Sequence, residues 1–74
     1  MKAKLIFNLP EDMYDYKLAS NASAMHSVLW DHDQWLRSKI KYEELTEDQY
    51  KAYKDCREEL IKLLIQNNIE LYDC

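Results

Sequence analysis

The sequence contains no glycine and a single proline, Pro10. Glycine is the residue that enters positive φ without steric cost, and two-residue β-hairpin turns depend on it. A chain without it has few ways to close the many tight turns of a β-sandwich or barrel. Its regular structure must therefore be chiefly helical. The same absence removes any glycine-rich phosphate-binding loop.

Apolar periodicity places the main helix. Ala22, Met25, Leu29, Leu36 and Ile40 fall on one stripe when successive residues are about 100° apart. Val28 and Trp35 widen that stripe, and Ser27, Asp31, Gln34, Ser38 and Lys41 lie opposite. Residues 23–42 thus read as a central amphipathic helix. Arg37, Lys39 and Lys41 stand near its C-terminal end, where cations complement the helix dipole. His32 lies within the stripe and is expected as a core histidine bonded to a neighbour. Trp30 lies off the stripe, so it is either packed by another element or displayed to a partner.

The remaining elements follow from local signals. In residues 2–9, Ala3, Leu5, Phe7 and Leu9 alternate with Lys2, Lys4, Ile6 and Asn8, the period of a strand with one buried face. Such a strand needs a partner, either residues 69–73 or the same strand of a second subunit. Pro10, with Glu11, Asp12 and Asp15 close behind, suits a helix start over 10–20. At residues 20–23 two readings stand. Asn21 takes a left-handed cap and Ser23 caps the next helix, the favoured reading; or the helical spacing runs on unbroken through Tyr14, Leu18, Ala22, Met25 and Leu29. Thr46 and Gln49 form a capping box that opens a helix running to residue 66, with Tyr53, Cys56, Leu60, Leu63 and Leu64 on its apolar face. Asn67-Asn68 supplies the stop. A short loop between two long helices favours an antiparallel hairpin. The expected fold is mostly α: one small domain over 1–74, with a long central helix, an antiparallel C-terminal helix and a short N-terminal strand paired with the C-terminal segment.

Charge and side-chain chemistry narrow the function. The net charge of −4 is uneven: residues 1–42 carry six basic and five acidic side chains, residues 43–74 four and nine. Affinity for duplex DNA or an anionic membrane comes chiefly from Lys and Arg, so neither is an expected target. No stretch is long and apolar enough to span a bilayer, and the N-terminus lacks the pattern of a signal peptide. A cytoplasmic protein with reduced cysteines is expected. His26 and His32 point to different sides of one helix, and Cys56 and Cys74 have no close-spaced mate, so no metal site and no cofactor are expected. Cys56, on the apolar face, reads as a buried and inert thiol. Paired carboxylates such as Asp31 with Asp33, and Glu58 with Glu59, read as solvated surface. No catalytic constellation stands out, and no enzymatic activity is expected.

Interaction is the remaining theme. Six tyrosines and two tryptophans exceed what so small a core buries. Aromatics with arginine are enriched at protein interfaces. Asp33 and Arg37, four apart, could form a partly buried ion pair. The candidate partner-binding residues are Trp30, Asp33, Trp35, Arg37 and Tyr42.

The segments LIFNLPED, LWDHDQWLRSKIKY and REELIKLLIQNNIEL resemble a group of small proteins encoded by bacteriophages. The strongest part is Leu29, Trp30, Asp33, Gln34, Leu36, Arg37, Ile40, Lys41 and Tyr42. The group usually has glycine near the junction held here by residues 21–23, which leaves the helix break open. The resemblance implies phage origin and expression inside a bacterial cell, and it implies no catalytic residue. Phage proteins of this size often modulate a host protein. The expected function is therefore binding to a host or phage protein, as an inhibitor or modulator of defence, replication or transcription. An accessory of nucleic-acid metabolism, working through Arg37, Lys39 and Lys41, and a self-assembling structural protein or homo-oligomer are the alternatives.

Overall fold

A computed structural model describes residues 1–72. It has three helices: α1 over Met13–Ser20, α2 over Ala22–Tyr42 and α3 over Glu47–Gln66. Later residues of α2 meet earlier residues of α3, as Trp35 does Tyr53 and Asp33 does Arg57. The two helices therefore form an antiparallel hairpin, closed by a loop over residues 43–46.

The helix ends show how local chemistry draws these boundaries. At α3 the expected capping box is present. The Gln49 amide donates to Thr46 Oγ1 at 3.2 Å, and the Thr46 amide donates to Gln49 Oε1 at 3.1 Å. At its other end Asn68 takes φ 55°, the left-handed conformation that this glycine-free chain assigns to asparagine. The Asn68 amide donates to the Ile65 carbonyl at 3.1 Å and the Ile69 amide to the Leu64 carbonyl at 2.9 Å. These two bonds are the Schellman pattern.

α1 begins later than residue 10. The Asp12 carboxylate accepts from the Asn8 amide at 2.9 Å instead of capping α1, and residues 9–12 form a turn. The break between α1 and α2 lies at Asn21, but without a left-handed cap: its φ is −98°. Ser20 Oγ donates to the Tyr16 carbonyl at 2.7 Å, and Asn21 Nδ2 donates to the Lys17 carbonyl at 2.9 Å. Such side-chain bonds compete with the backbone ladder and bend or end a helix. Asn21, rather than Ser23, is the N-cap of α2.

The expected N-terminal strand does not form, and no strand occurs among the described residues. Its intended partner is engaged elsewhere. After α3 the chain turns back onto α2, burying Leu71. His26 Nε2 donates to the Glu70 carbonyl at 3.2 Å, and Gln34 Nε2 donates to the Tyr72 hydroxyl at 3.2 Å. Leu5 and Ile6 consequently remain exposed. Phe7 alone of that stretch makes a ring contact, edge-on to Tyr16 with centroids 5.7 Å apart.

The core is very small. Leu36, Leu64 and Leu71 are its buried apolar residues, and beside them lies Asp33, wholly buried. Arg57 reaches across the hairpin to it, donating through Nε to Oδ1 at 2.9 Å and through Nη2 to Oδ2 at 3.4 Å. This is the ion pair of Asp33, in place of the expected one with Arg37. A buried carboxylate must be paired or neutralised, and only a residue of the facing helix can reach one that points into the hairpin.

Two outcomes follow for stability. Arg57→Ala strands the Asp33 carboxylate and should cost about 3–5 kcal/mol in urea unfolding followed by far-UV circular dichroism, whereas an Asp33→Leu/Arg57→Met pair should recover most of that loss. Thr46→Ala should cost about 1 kcal/mol in the same assay.

Candidate interaction surface

The five candidate residues do not share one surface. Asp33 is inside the hairpin and serves the fold. Around α2, at about 100° per residue, Trp30 and Arg37 lie about 20° apart on one flank. Trp35 and Tyr42 lie about 20° apart on the other, some 140° from Trp30. Tyr42 is largely exposed, and each tryptophan is about half exposed. The structure thus separates two patches that the linear pattern ran together.

The Trp35 flank is the more organised. Trp35 stacks on His32 with centroids 6.0 Å apart and planes 14° apart. It also meets Tyr53 of α3 edge-on, at 5.8 Å and 74°. Lys39 Nζ sits 5.4 Å from the Trp35 ring centroid, within cation–π range. The same ammonium bonds Glu43 at 2.8 Å. That hydrogen bond holds the Lys39 pKa above its ordinary value; desolvation works against it, and the charges of Glu43 and Tyr53 add to it.

Next to Trp35, α2 and α3 leave an open groove of about 570 Å³ between them, lined by His32, Asp55, Cys56, Glu59, Leu60 and Leu63. Two expectations are corrected here. His32 is exposed rather than a core histidine, because its ring leans on Trp35 instead of entering the hairpin. Cys56 is exposed rather than buried, since it lies about 100° from Arg57, the residue that faces α2. On the Trp30 flank a smaller groove of about 210 Å³ runs between the helices, lined by Ile40, Tyr50, Lys54, Arg57, Glu58 and Ile61.

Arg57 was not singled out by the sequence, yet the signal was there. Asp33 sits amid Leu29, Leu36 and Ile40, and Arg57 amid Tyr53, Leu60 and Leu64. Two opposite charges on the apolar faces of facing helices, at mirrored positions of a hairpin, are a buried pair in the making.

Among the described residues no three His, Cys, Asp or Glu side chains converge on a metal position. No helix among them is long and apolar enough to cross a membrane. Compared with protein-family models, curated proteins and solved structures, the chain matches none.

The aromatic cluster gives its own test. In a Trp30→Phe background, Tyr53→Leu should remove most of the near-UV circular dichroism of Trp35 and cost about 0.5–1.5 kcal/mol from the lost edge-on contact, with the far-UV spectrum preserved.

Proposed function

We propose that this chain is a protein–protein interaction module, a small phage protein that acts inside a bacterial cell by binding and modulating a host or phage protein. One observation carries the reading. The chain exposes 6616 Å², whereas a compact monomer of 9.0 kDa would expose about 4,900 Å². The difference, roughly 1,700 Å², is more than the roughly 800 Å² that a standard protein–protein interface covers on one partner. Shape gives the same message. The radius of gyration is 17.0 Å, against about 11 Å for a compact domain of this length.

The partner is assigned to the Trp30 and Arg37 flank, extended by Ile61 of α3. Tryptophan and arginine are the residue types that most often dominate interface energetics. Asp33, a candidate by sequence, is withdrawn from the surface because its carboxylate is committed to Arg57. A nucleic-acid role has less support: Lys39, central to any basic patch with Arg37 and Lys41, is engaged by Glu43.

A tagged pulldown from bacterial lysate, with and without nuclease, tests the proposal. The expected result is one stoichiometric protein that survives nuclease. Trp30→Ala should weaken its capture by about thirtyfold, the effect of a hot-spot truncation near 2 kcal/mol. Recovery that vanishes with nuclease would replace this reading with the nucleic-acid one.

A further inference from the structure

We infer that residues 69–72 are a displaceable strap over the Trp30 row of α2, which keeps that row closed to an incoming chain until it lifts. The consequence for binding rests on the partner reading above; the strap itself does not.

The placement comes from two hydrogen bonds and helix geometry. His26, Trp30 and Gln34 are four apart on α2, so they form one row along its surface, about 12 Å from first to last. His26 Nε2 donates to the Glu70 carbonyl and Gln34 Nε2 to the Tyr72 hydroxyl, each at 3.2 Å. The two ends of the row are thus tied to residues two apart in the tail, and Trp30 is the midpoint between the ties. Two extended residues span about 7 Å, and the Tyr72 side chain makes up the rest. Leu71, between the two anchors, is 6% exposed and is the inward side chain of the strap. Ile69, Glu70 and Tyr72 on either side of it are exposed.

What holds the hairpin is separate from what holds the strap. The Arg57 bonds to Asp33 and the Trp35–Tyr53 contact join α2 directly to α3, and the buried Leu36 and Leu64 belong to the helices themselves. The strap instead leaves α3 at the left-handed Asn68. Lifting it gives up the burial of one leucine and its bonds to α2, and leaves the two helices aligned. Terminal segments of this kind open locally well before the whole fold does. A protein partner at Trp30 and Arg37 needs the ground that the strap crosses. The strap therefore competes with the partner, and its closed population lowers the apparent affinity of the flank.

Acrylamide quenching reads the strap directly. In a Trp35→Phe background Trp30 is the sole tryptophan. Leu71→Ser and, in a separate chain, Tyr72→Ala should each raise the quenching constant, by up to about twofold as the ring goes from 41% exposed toward full exposure. Tyr72 is itself 58% exposed, so Tyr72→Ala keeps the test valid should far-UV circular dichroism show that Leu71→Ser unfolds. A tethered segment competes at an effective concentration in the millimolar range. A synthetic peptide of residues 67–72 at millimolar concentration should accordingly restore the shielding of Trp30 in the strap variants and leave the parent chain unchanged. In the lysate pulldown the same two substitutions should tighten capture by about tenfold, as for a flank that the strap leaves open about a tenth of the time. Unchanged quenching in both variants, or a peptide that shields neither variant or shields the parent chain equally, overturns the strap. Raised quenching with capture no tighter than that of the unsubstituted chain overturns the competition with a partner. Raised quenching, restored by peptide, with no protein captured by any chain overturns only the partner reading.

Discussion

The bond between Asp33 and Arg57 is the constraint on which the hairpin depends. With Leu36, Leu64 and Leu71 the only buried apolar residues among those described, hydrophobic burial supplies little information about how α2 and α3 should be aligned. Apolar side chains slide past one another at small cost, and a one-turn slip would move α3 by about 5.4 Å. A two-pronged ion pair tolerates no such slip, because a fully buried carboxylate without its guanidinium is costly. The pair therefore sets the register, and Trp35 on Tyr53 and the return of residues 67–72 over α2 both follow from that register.

Legibility divided along the line between local and distant chemistry. The capping box at Thr46, the stop at Asn67-Asn68 and the extent of α2 were readable because each depends on residues within a turn of one another. The helix break at Asn21 was readable as a place, though its cause is side-chain competition for the Lys17 and Tyr16 carbonyls rather than a left-handed cap. The strand over residues 2–9 was misread because alternation describes a strand only where another strand accepts it. Residues 69–72, the natural partner, bond to α2 instead.

The candidate surface was legible in residue type and not in grouping. Trp30, Trp35, Arg37 and Tyr42 are exposed or half-exposed, as the aromatic surplus suggested. Asp33 looked equivalent to them in the linear pattern and is its opposite in space. The difference rests on Arg57, 24 residues away, which no local spacing rule connects to it. Cys56 and His32 were misjudged for a related reason. In a hairpin of two helices only a narrow stripe of each is covered, so positions that would be interior in a larger domain stay at the edge.

The alignment of α2 and α3 by a central ion pair has a consequence for the loop that joins them. In most helical hairpins the length of the connection dictates how the helices meet, and insertions there disturb the packing. Here the alignment is imposed about three helical turns back from the bend, and Glu43, Glu44 and Thr46 at the bend are exposed. The bend is thereby relieved of a structural duty. It is the position in this chain where evolution, or an engineer, can add length, a recognition peptide or a whole domain while the helices beneath keep their alignment.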